Sequence, residues 1–82
     1  MQMSSARGFA AFVRANRLSA GLTQEDLAQA VRKSRRWVHD LESGKVVPSL
    51  NAAIEVAAVL GYTVTLERSE RSDVLDQLFE DL

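Results

Sequence analysis

Residues 23–44 read TQEDLAQAVRKSRRWVHDLESG, and this pattern predicts two short helices separated by a tight turn. Thr23 suits an N-cap, and Asp26 three residues later can complete a capping box with it. Ser34 is a second N-cap candidate, and Gly44 suits the left-handed conformation that ends a helix. The apolar residues predicted to face a common core are Leu27, Ala28 and Val31 in the first helix, with Val38 and Leu41 in the second.

Four cations lie within five residues, at the turn and the start of the second helix: Arg32, Lys33, Arg35 and Arg36. A helix that begins after Ser34 directs its free N–H groups and the positive end of its dipole outward beside these side chains. A phosphate backbone suits such a surface. A helix also fits the DNA major groove, where arginine can pair bidentately with guanine.

Residues 9–61 resemble the helix-turn-helix domain of Xre/Cro-type repressors. The matching residues are Arg17, Gly21, Leu22, Thr23, Gln24, Leu27, Ala28, Ser34, Val38, Leu41, Glu42, Gly44, Lys45, Pro48, Ser49, Leu60 and Gly61. The resemblance implies a mainly α fold, a four- to five-helix lambda-repressor-like helix-turn-helix domain over residues 6–61, with a function in transcriptional repression.

The turn departs from the family pattern, which places glycine and then an aliphatic residue where this chain has Arg32 and Lys33. Arginine is strained in the left-handed region that glycine enters freely. We therefore expect a wider or differently twisted turn and an altered tilt of the second helix.

The resemblance implies that Arg35 and Arg36 read bases, although a solvated charge cluster is the alternative. Trp37 can contact a thymine methyl group or a sugar at the groove edge, or fold back over the core. Asp40 can accept a hydrogen bond from a cytosine amine. These four residues form the predicted base-reading set.

The predicted phosphate contacts are Gln24, Lys33, Ser34, His39 and Lys45. The resemblance implies that Gln24 contacts a phosphate and supports the reading helix, and that Lys45 contacts phosphate from the loop after that helix. An ordinary polar residue at a helix start is the alternative for Gln24.

Arg17 follows Val13 by one turn and lies on or beside an apolar face. It is either a surface arginine whose stem covers the core or, as the resemblance implies, one half of a buried bidentate pair with Glu42. We favour the ion pair and give it a structural role.

Helical spacing predicts two further apolar faces. The first helix would bury Phe9, Phe12, Val13, Asn16 and Ala20, and a fourth helix, starting at Pro48 and Ser49, would bury Leu50, Ile54, Ala57 and Leu60.

After residue 61 the apolar residues recur at every second position, which predicts a strand over residues 62–68 with Tyr62, Val64 and Leu66 on one face. No second strand is predicted, so its backbone groups lack a partner. Pairing with the same strand of a second copy would give a symmetric dimer that binds two half-sites of a palindromic operator.

A helix-turn-helix followed at once by residues 60–66, LGYTVTL, resembles the HipB-type antitoxins. This resemblance implies a dimerisation strand, autoregulation of the operon and a HipA-like serine/threonine kinase toxin as partner. A stand-alone Xre-family regulator without a toxin is the alternative.

Residues 69–82 are acidic and amphipathic. Leu75, Leu78, Phe79 and Leu82 are candidates for docking a partner, and a helix packed on its own domain is an equal alternative.

The chain of 82 residues has a net charge of −1, but the charge is divided: residues 1–50 hold eight Lys/Arg against four Asp/Glu, and residues 51–82 hold two against seven. A basic half and an acidic half are typical of a protein that binds phosphate with one region only. No cysteine, Gly-rich phosphate loop, metal-ligand cluster or acid–base set is present, so we expect neither an enzyme nor a cofactor or metal. The N-terminus lacks the pattern of a signal peptide, and no membrane-length apolar run occurs, so a cytoplasmic location is expected.

Overall fold

The computed structural model describes residues 5–66 and 68. Over these residues the chain forms four helices: α1 (Ala6–Ser19), α2 (Gln24–Ala30), α3 (Arg35–Glu42) and α4 (Leu50–Val59). The longest has 14 residues, and none of the described helices has the length and apolar character needed to span a bilayer. The mainly α class expected from the sequence is therefore confirmed, with α2 and α3 as consecutive helices joined by a short turn.

Each helix begins with a serine or threonine whose hydroxyl oxygen accepts a backbone N–H three residues on. At α2, the Thr23 hydroxyl accepts from the N–H of Asp26, and the Asp26 carboxylate accepts from the N–H of Thr23, which completes the predicted capping box. Ser34 and Ser49 cap α3 and α4. These caps satisfy N–H groups that have no partner inside the helix.

All four helices end in the same hydrogen-bonding pattern, the Schellman motif. The residue after the C-cap has a positive φ, and two N–H groups bond back into the last turn. Three helices use glycine at this position, with φ of 72° at Gly21, 82° at Gly44 and 89° at Gly61. Helix α2 uses Arg32 instead, with φ of 57°.

The core lies between α1, α2, α3 and α4. Its buried members are Phe12, Val13, Leu27, Ala28, Val31, Val38, Leu41 and Val56, with Phe9, Trp37 and Leu60 packed at its edge. Because α2 and α3 contribute four of the eight buried members and the turn after α2 contributes Val31, the two-helix unit shares one core with α1 and α4.

Two apolar faces were only partly anticipated. Ala20 is exposed, and Ala10 and Arg17 are buried in α1 instead. In α4 the predicted stripe is wrong at two positions, because the exposed fraction is 69% for Leu50 and 42% for Ile54. The buried residues of α4 are Ala52, Val56 and Ala57.

Residues 62–66 have no strand assignment, and no β-strand occurs elsewhere in the part of the chain that the structure describes. A single copy holds no partner for the proposed symmetric pairing, so the strand and its dimer stay predictions. Tyr62 also has a role within its own chain. Its hydroxyl donates to Oδ1 of Asn16 at 2.8 Å, and its ring meets that of Phe12 edge to face with centroids 4.8 Å apart.

Candidate nucleic-acid interface

The turn between α2 and α3 keeps the geometry of a glycine-containing turn although it contains none. The N–H of Arg32 donates to the carbonyl of Gln29 at 3.3 Å, and the N–H of Lys33 donates to the carbonyl of Ala28 at 2.9 Å. The expectation of a wider turn is therefore wrong. Arg32 enters the left-handed region, and the chain bears a conformational cost of about 1–2 kcal/mol.

The start of α3 presents a cluster of cations to solvent. The Ser34 hydroxyl accepts from the N–H of Trp37 at 3.0 Å, while Lys33, Arg35 and Arg36 are exposed on both sides of this cap. Arg36 has an 85% exposed side chain, and its Nε lies 3.7 Å from Oδ2 of Asp40. No carboxylate lies in the first turn of α3 to neutralise the helix dipole.

Trp37 lies at the edge of the core. Its ring packs partly buried against the core cluster, and Nζ of Lys33 lies 5.4 Å from the ring centroid. A cation at that distance over an indole is attracted by the face of the ring. Trp37 thus covers the edge of the core while part of it stays accessible, and its groove-edge contact stays a prediction.

His39 and Asp40 occupy the second turn of α3. The side chain of His39 is 60% exposed and that of Asp40 is 20% exposed, with His39 Nδ1 at 3.4 Å from Asp40 Oδ1. Asp40 therefore has a cation from Arg36 on one side and an imidazole on the other. His39 remains accessible to solvent.

The C-terminal end of α3 is held by a cluster of three polar side chains, Arg17, Gln24 and Glu42. Arg17 donates from Nε to Glu42 Oε2 at 2.6 Å and from Nη2 to Glu42 Oε1 at 2.9 Å. The Arg17 and Glu42 side chains are only 9% and 4% exposed. These hydrogen bonds raise the pKa of Arg17 above its ordinary value, against the opposing effect of burial.

The remaining groups of this cluster also have partners. Arg17 Nη1 donates to the carbonyl of Leu22 at 2.8 Å, and Gln24 Nε2 donates to Glu42 Oε1 at 3.3 Å. No buried side-chain polar atom in the described residues lacks a hydrogen bond. The cluster joins the end of α1, the start of α2 and the end of α3, and thereby fixes the orientation of α3 relative to both neighbours.

The loop after α3 is anchored through its backbone. The N–H groups of Lys45 and Val46 both donate to the carbonyl of Asp40, at 2.8 and 3.2 Å. The Lys45 side chain is exposed, so a fixed loop presents a cation beside α3.

The other predicted residues fall into two groups. Val64 and Leu66 are 41% and 95% exposed in the single chain. Leu75, Leu78, Phe79 and Leu82 lie outside the described residues. Among the residues that the structure describes, no group of His, Asp and Glu is arranged to hold a metal ion.

Two contacts were missed from the sequence. The Asn16–Tyr62 hydrogen bond joins residues 46 positions apart, and sequence spacing carries no signal for such a pair. The exposed face of α4 did have a signal, because Asn51 and Glu55 are its only polar residues and mark the solvent side. A stripe drawn opposite them would have passed through Val56 and Ala57.

Comparison with known proteins agrees with this geometry. The sequence matches the family described as a helix-turn-helix domain over residues 9–70. It is also 43% identical over 49 residues to an uncharacterized HTH-type transcriptional regulator of Methanothermobacter thermautotrophicus. That alignment covers 60% of this chain and 71% of the relative.

Proposed function

We propose that this chain, which belongs to the helix-turn-helix domain family, is a sequence-specific DNA-binding transcriptional repressor. The observation that carries the proposal is the charge at the start of α3. Lys33, Arg35 and Arg36 surround a helix N-terminus that has no acidic residue in its first turn. The free N–H groups, the dipole and the cations all favour an anion at this end.

In this proposal α3 enters the major groove with its N-terminus first. Arg35 and Arg36 read bases, and Asp40 lies one turn further along the helix. Gln24, Lys33, Ser34, His39 and Lys45 contact the phosphate backbone and fix the register. Trp37 reaches only a sugar or a thymine methyl group at the groove edge, since much of its ring packs against the core.

Arg17 and Glu42 take no part in reading DNA in this proposal. Their buried pair holds α3 against α1, and Gln24 connects that pair to the start of α2. Gln24 therefore has one hydrogen bond within the protein and lies at a helix start where a phosphate can also bind.

A double substitution tests the DNA-binding proposal. We expect Arg35→Ala with Arg36→Ala to abolish specific binding to a duplex that the wild type selects from a random library. Both side chains are exposed, so the fold should survive, as a circular dichroism melt would verify. Lys45→Ala is the matched comparison. It should weaken binding to all DNA sequences alike and lower the slope of log K against log salt by about one. Unchanged selectivity in the double variant would refute the base-reading role.

We further propose that the protein is a homodimer joined through residues 62–68. Large apolar side chains exposed in the single chain support this: Val64, Leu66, Leu50 and Ile54. Pairing two strands would satisfy their backbone groups and cover part of this apolar surface. Sedimentation equilibrium should report a dimer for the wild type and a monomer for Val64→Glu. A monomeric wild type would reject the interface.

The partner in this proposal is a HipA-like serine/threonine kinase, which the chain neutralises as a HipB-like antitoxin while repressing its own operon. The resemblance of residues 60–66 to HipB-type sequences supports it. Affinity purification of the full chain from its host should recover a kinase in near-stoichiometric amount, and the chain should inhibit its phosphotransfer. Substituting Leu75, Leu78, Phe79 and Leu82 with serine tests the acidic segment as the docking site. If no kinase is recovered, the alternative of a stand-alone regulator replaces the antitoxin role.

A further inference from the structure

A groove of about 380 Å³ lies between α1 and the loop that follows α3. Its α1 side has a floor of alanines with Arg7 and Arg14 beside them, and Ser43, Gly44 and Val46 form the opposite wall. None of the DNA contacts proposed above lies in this groove. It nevertheless adjoins the loop that presents Lys45.

The groove is positively charged. Arg7 and Arg14 are exposed, and neither takes part in an ion pair within residues 5–66. Glu42 also lines the groove, but its two carboxylate oxygens already accept hydrogen bonds from Arg17 and Gln24. The acidic side chain that lines the groove is therefore already paired, and the charges of the two arginines are not neutralised by it.

The spacing of the two arginines suits a nucleic-acid strand. They are seven residues apart on α1, close to two helical turns, which separates them by about 10 Å along the helix. Neighbouring phosphates of a DNA strand lie closer together than this distance, so the two arginines can contact different phosphates of the same strand. The small alanine side chains let a sugar–phosphate backbone approach α1 closely.

We propose that this groove binds the sugar–phosphate backbone of DNA beside the base-reading site, with Arg7 and Arg14 as additional phosphate contacts. The inference rests on the proposed function. The loop after α3, which carries Lys45, forms one wall of this groove, and Arg7 and Arg14 lie on the opposite wall, so a backbone that contacts this loop while α3 occupies the major groove can also reach α1. Both arginines then add affinity without sequence preference.

The test compares the full-length wild type with the double variant Arg7→Ala, Arg14→Ala. Fluorescence anisotropy would measure binding to a duplex selected by the wild type and to an unrelated duplex, over about 50–200 mM salt. Two lost phosphate contacts should lower the slope of log K against log salt by about 1.8. At about 0.1 M salt this corresponds to a loss on the order of 50-fold on both duplexes.

Two controls accompany the test. Arg71→Ala removes one positive charge at a residue outside the proposed DNA contacts and outside the proposed dimer segment, and it should leave the slope almost unchanged. Arg7→Lys with Arg14→Lys keeps both charges and should keep most of the slope. Melting temperatures close to that of the wild type would show that the exposed alanine substitutions leave the fold intact.

Two outcomes would overturn the inference. If the slope of the Arg7/Arg14 alanine variant equals that of the Arg71→Ala control, the groove does not contact DNA. If the alanine variant binds DNA more tightly than the wild type, an acidic segment such as residues 69–82 is the occupant instead. A failure of the proposed function would give different results from these. The wild type would then select no duplex, or substitution of Arg35 and Arg36 would leave DNA binding unchanged.

Discussion

The two helices of the motif begin with opposite charges. The first turn of α2 contains Glu25 and Asp26, whereas α3 begins with Arg35 and Arg36 and has no acidic residue in its first turn. Both helices have a hydroxyl N-cap, but only α2 has acidic residues in its first turn, one of which also completes a capping box. Acidic residues at a helix N-terminus typically stabilise it by about 0.3–1 kcal/mol each, and cations oppose the dipole there.

This contrast shows that acidic residues stabilise the start of α2 and that none stabilises the start of α3. Neither helix is long enough to persist alone in water, with seven residues in α2 and eight in α3, so α3 depends on its contacts with the rest of the fold. Burial of Val38 and Leu41, which are fully inaccessible to solvent, and the ion pair at Glu42 hold it in place. Because these contacts hold α3 in place, its N-terminal end can carry cations that oppose the helix dipole. A bound anion would neutralise them.

The largest expected effect comes from removing the ion pair at the end of α3. We expect Glu42→Ala to lower the free energy of unfolding by about 3–5 kcal/mol, because it leaves the buried charge of Arg17 without its partner. Gln24 loses an acceptor as well. Urea denaturation followed by circular dichroism would measure the change.

Glu25→Ala is the matched control for that experiment, since it removes an exposed carboxylate from α2. It should change the free energy of unfolding by no more than about 1 kcal/mol, because an acidic residue in the first turn contributes about 0.3–1 kcal/mol. Equal losses in the two variants would mean that the stability of α3 does not depend on the Glu42 cluster.

Local chemistry made the helix ends predictable from the sequence. A hydroxyl N-cap or a glycine C-cap acts within four residues, so Thr23, Ser34 and Gly44 were assigned correctly. The fold class followed from these signals together with the spacing of the core residues. The Arg17–Glu42 contact lies 25 residues apart, and only the family resemblance suggested it.

Two features were predicted incorrectly from the sequence, the buried face of α4 and the conformation of Arg32. Helix α4 is apolar at all but two of its ten positions, so periodicity alone did not distinguish its buried face from its exposed one. Arg32 was judged by its own preference, which disfavours positive φ. In the fold, two turn hydrogen bonds and the packing of α2 against α3 outweigh that preference.

A smaller effect is expected at Arg32, the residue with positive φ in the turn between α2 and α3. Arg32→Gly should raise the free energy of unfolding by about 1 kcal/mol, since glycine adopts a φ of 57° freely and loses part of this gain through its unfolded-state entropy. Thermal melts of the variant and the wild type would measure it.

Gly21→Ala is the control with the opposite change, since it places a side chain at the equivalent positive-φ position after α1. An added Cβ at Gly21 meets no atom within 4 Å, so its cost is conformational only, and stability should fall by about 1 kcal/mol. If Arg32→Gly is no more stable than the wild type, contacts of the Arg32 side chain offset the strain, and the turn is not a destabilised element.

The smallest effect concerns the acidic start of α2 and appears in the pH dependence of stability. Hydrogen bonds from the backbone and side chain of Thr23 hold the pKa of Asp26 below its ordinary value of 3.8. A carboxyl group with a lowered pKa in the folded state stabilises the fold above its unfolded pKa. That stabilisation is lost as the pH falls through the folded pKa.

Asp26→Asn isolates this contribution because asparagine can still accept from the Thr23 N–H but carries no charge. The wild type should be slightly more stable than Asp26→Asn at neutral pH, and the difference should shrink as the pH falls below about 4. Denaturant midpoints measured from pH 7 to pH 2.5 would follow it. A difference that stays constant down to the lowest pH would show that the charge of Asp26 does not stabilise α2, and the contrast between the two helix starts would then rest on α3 alone.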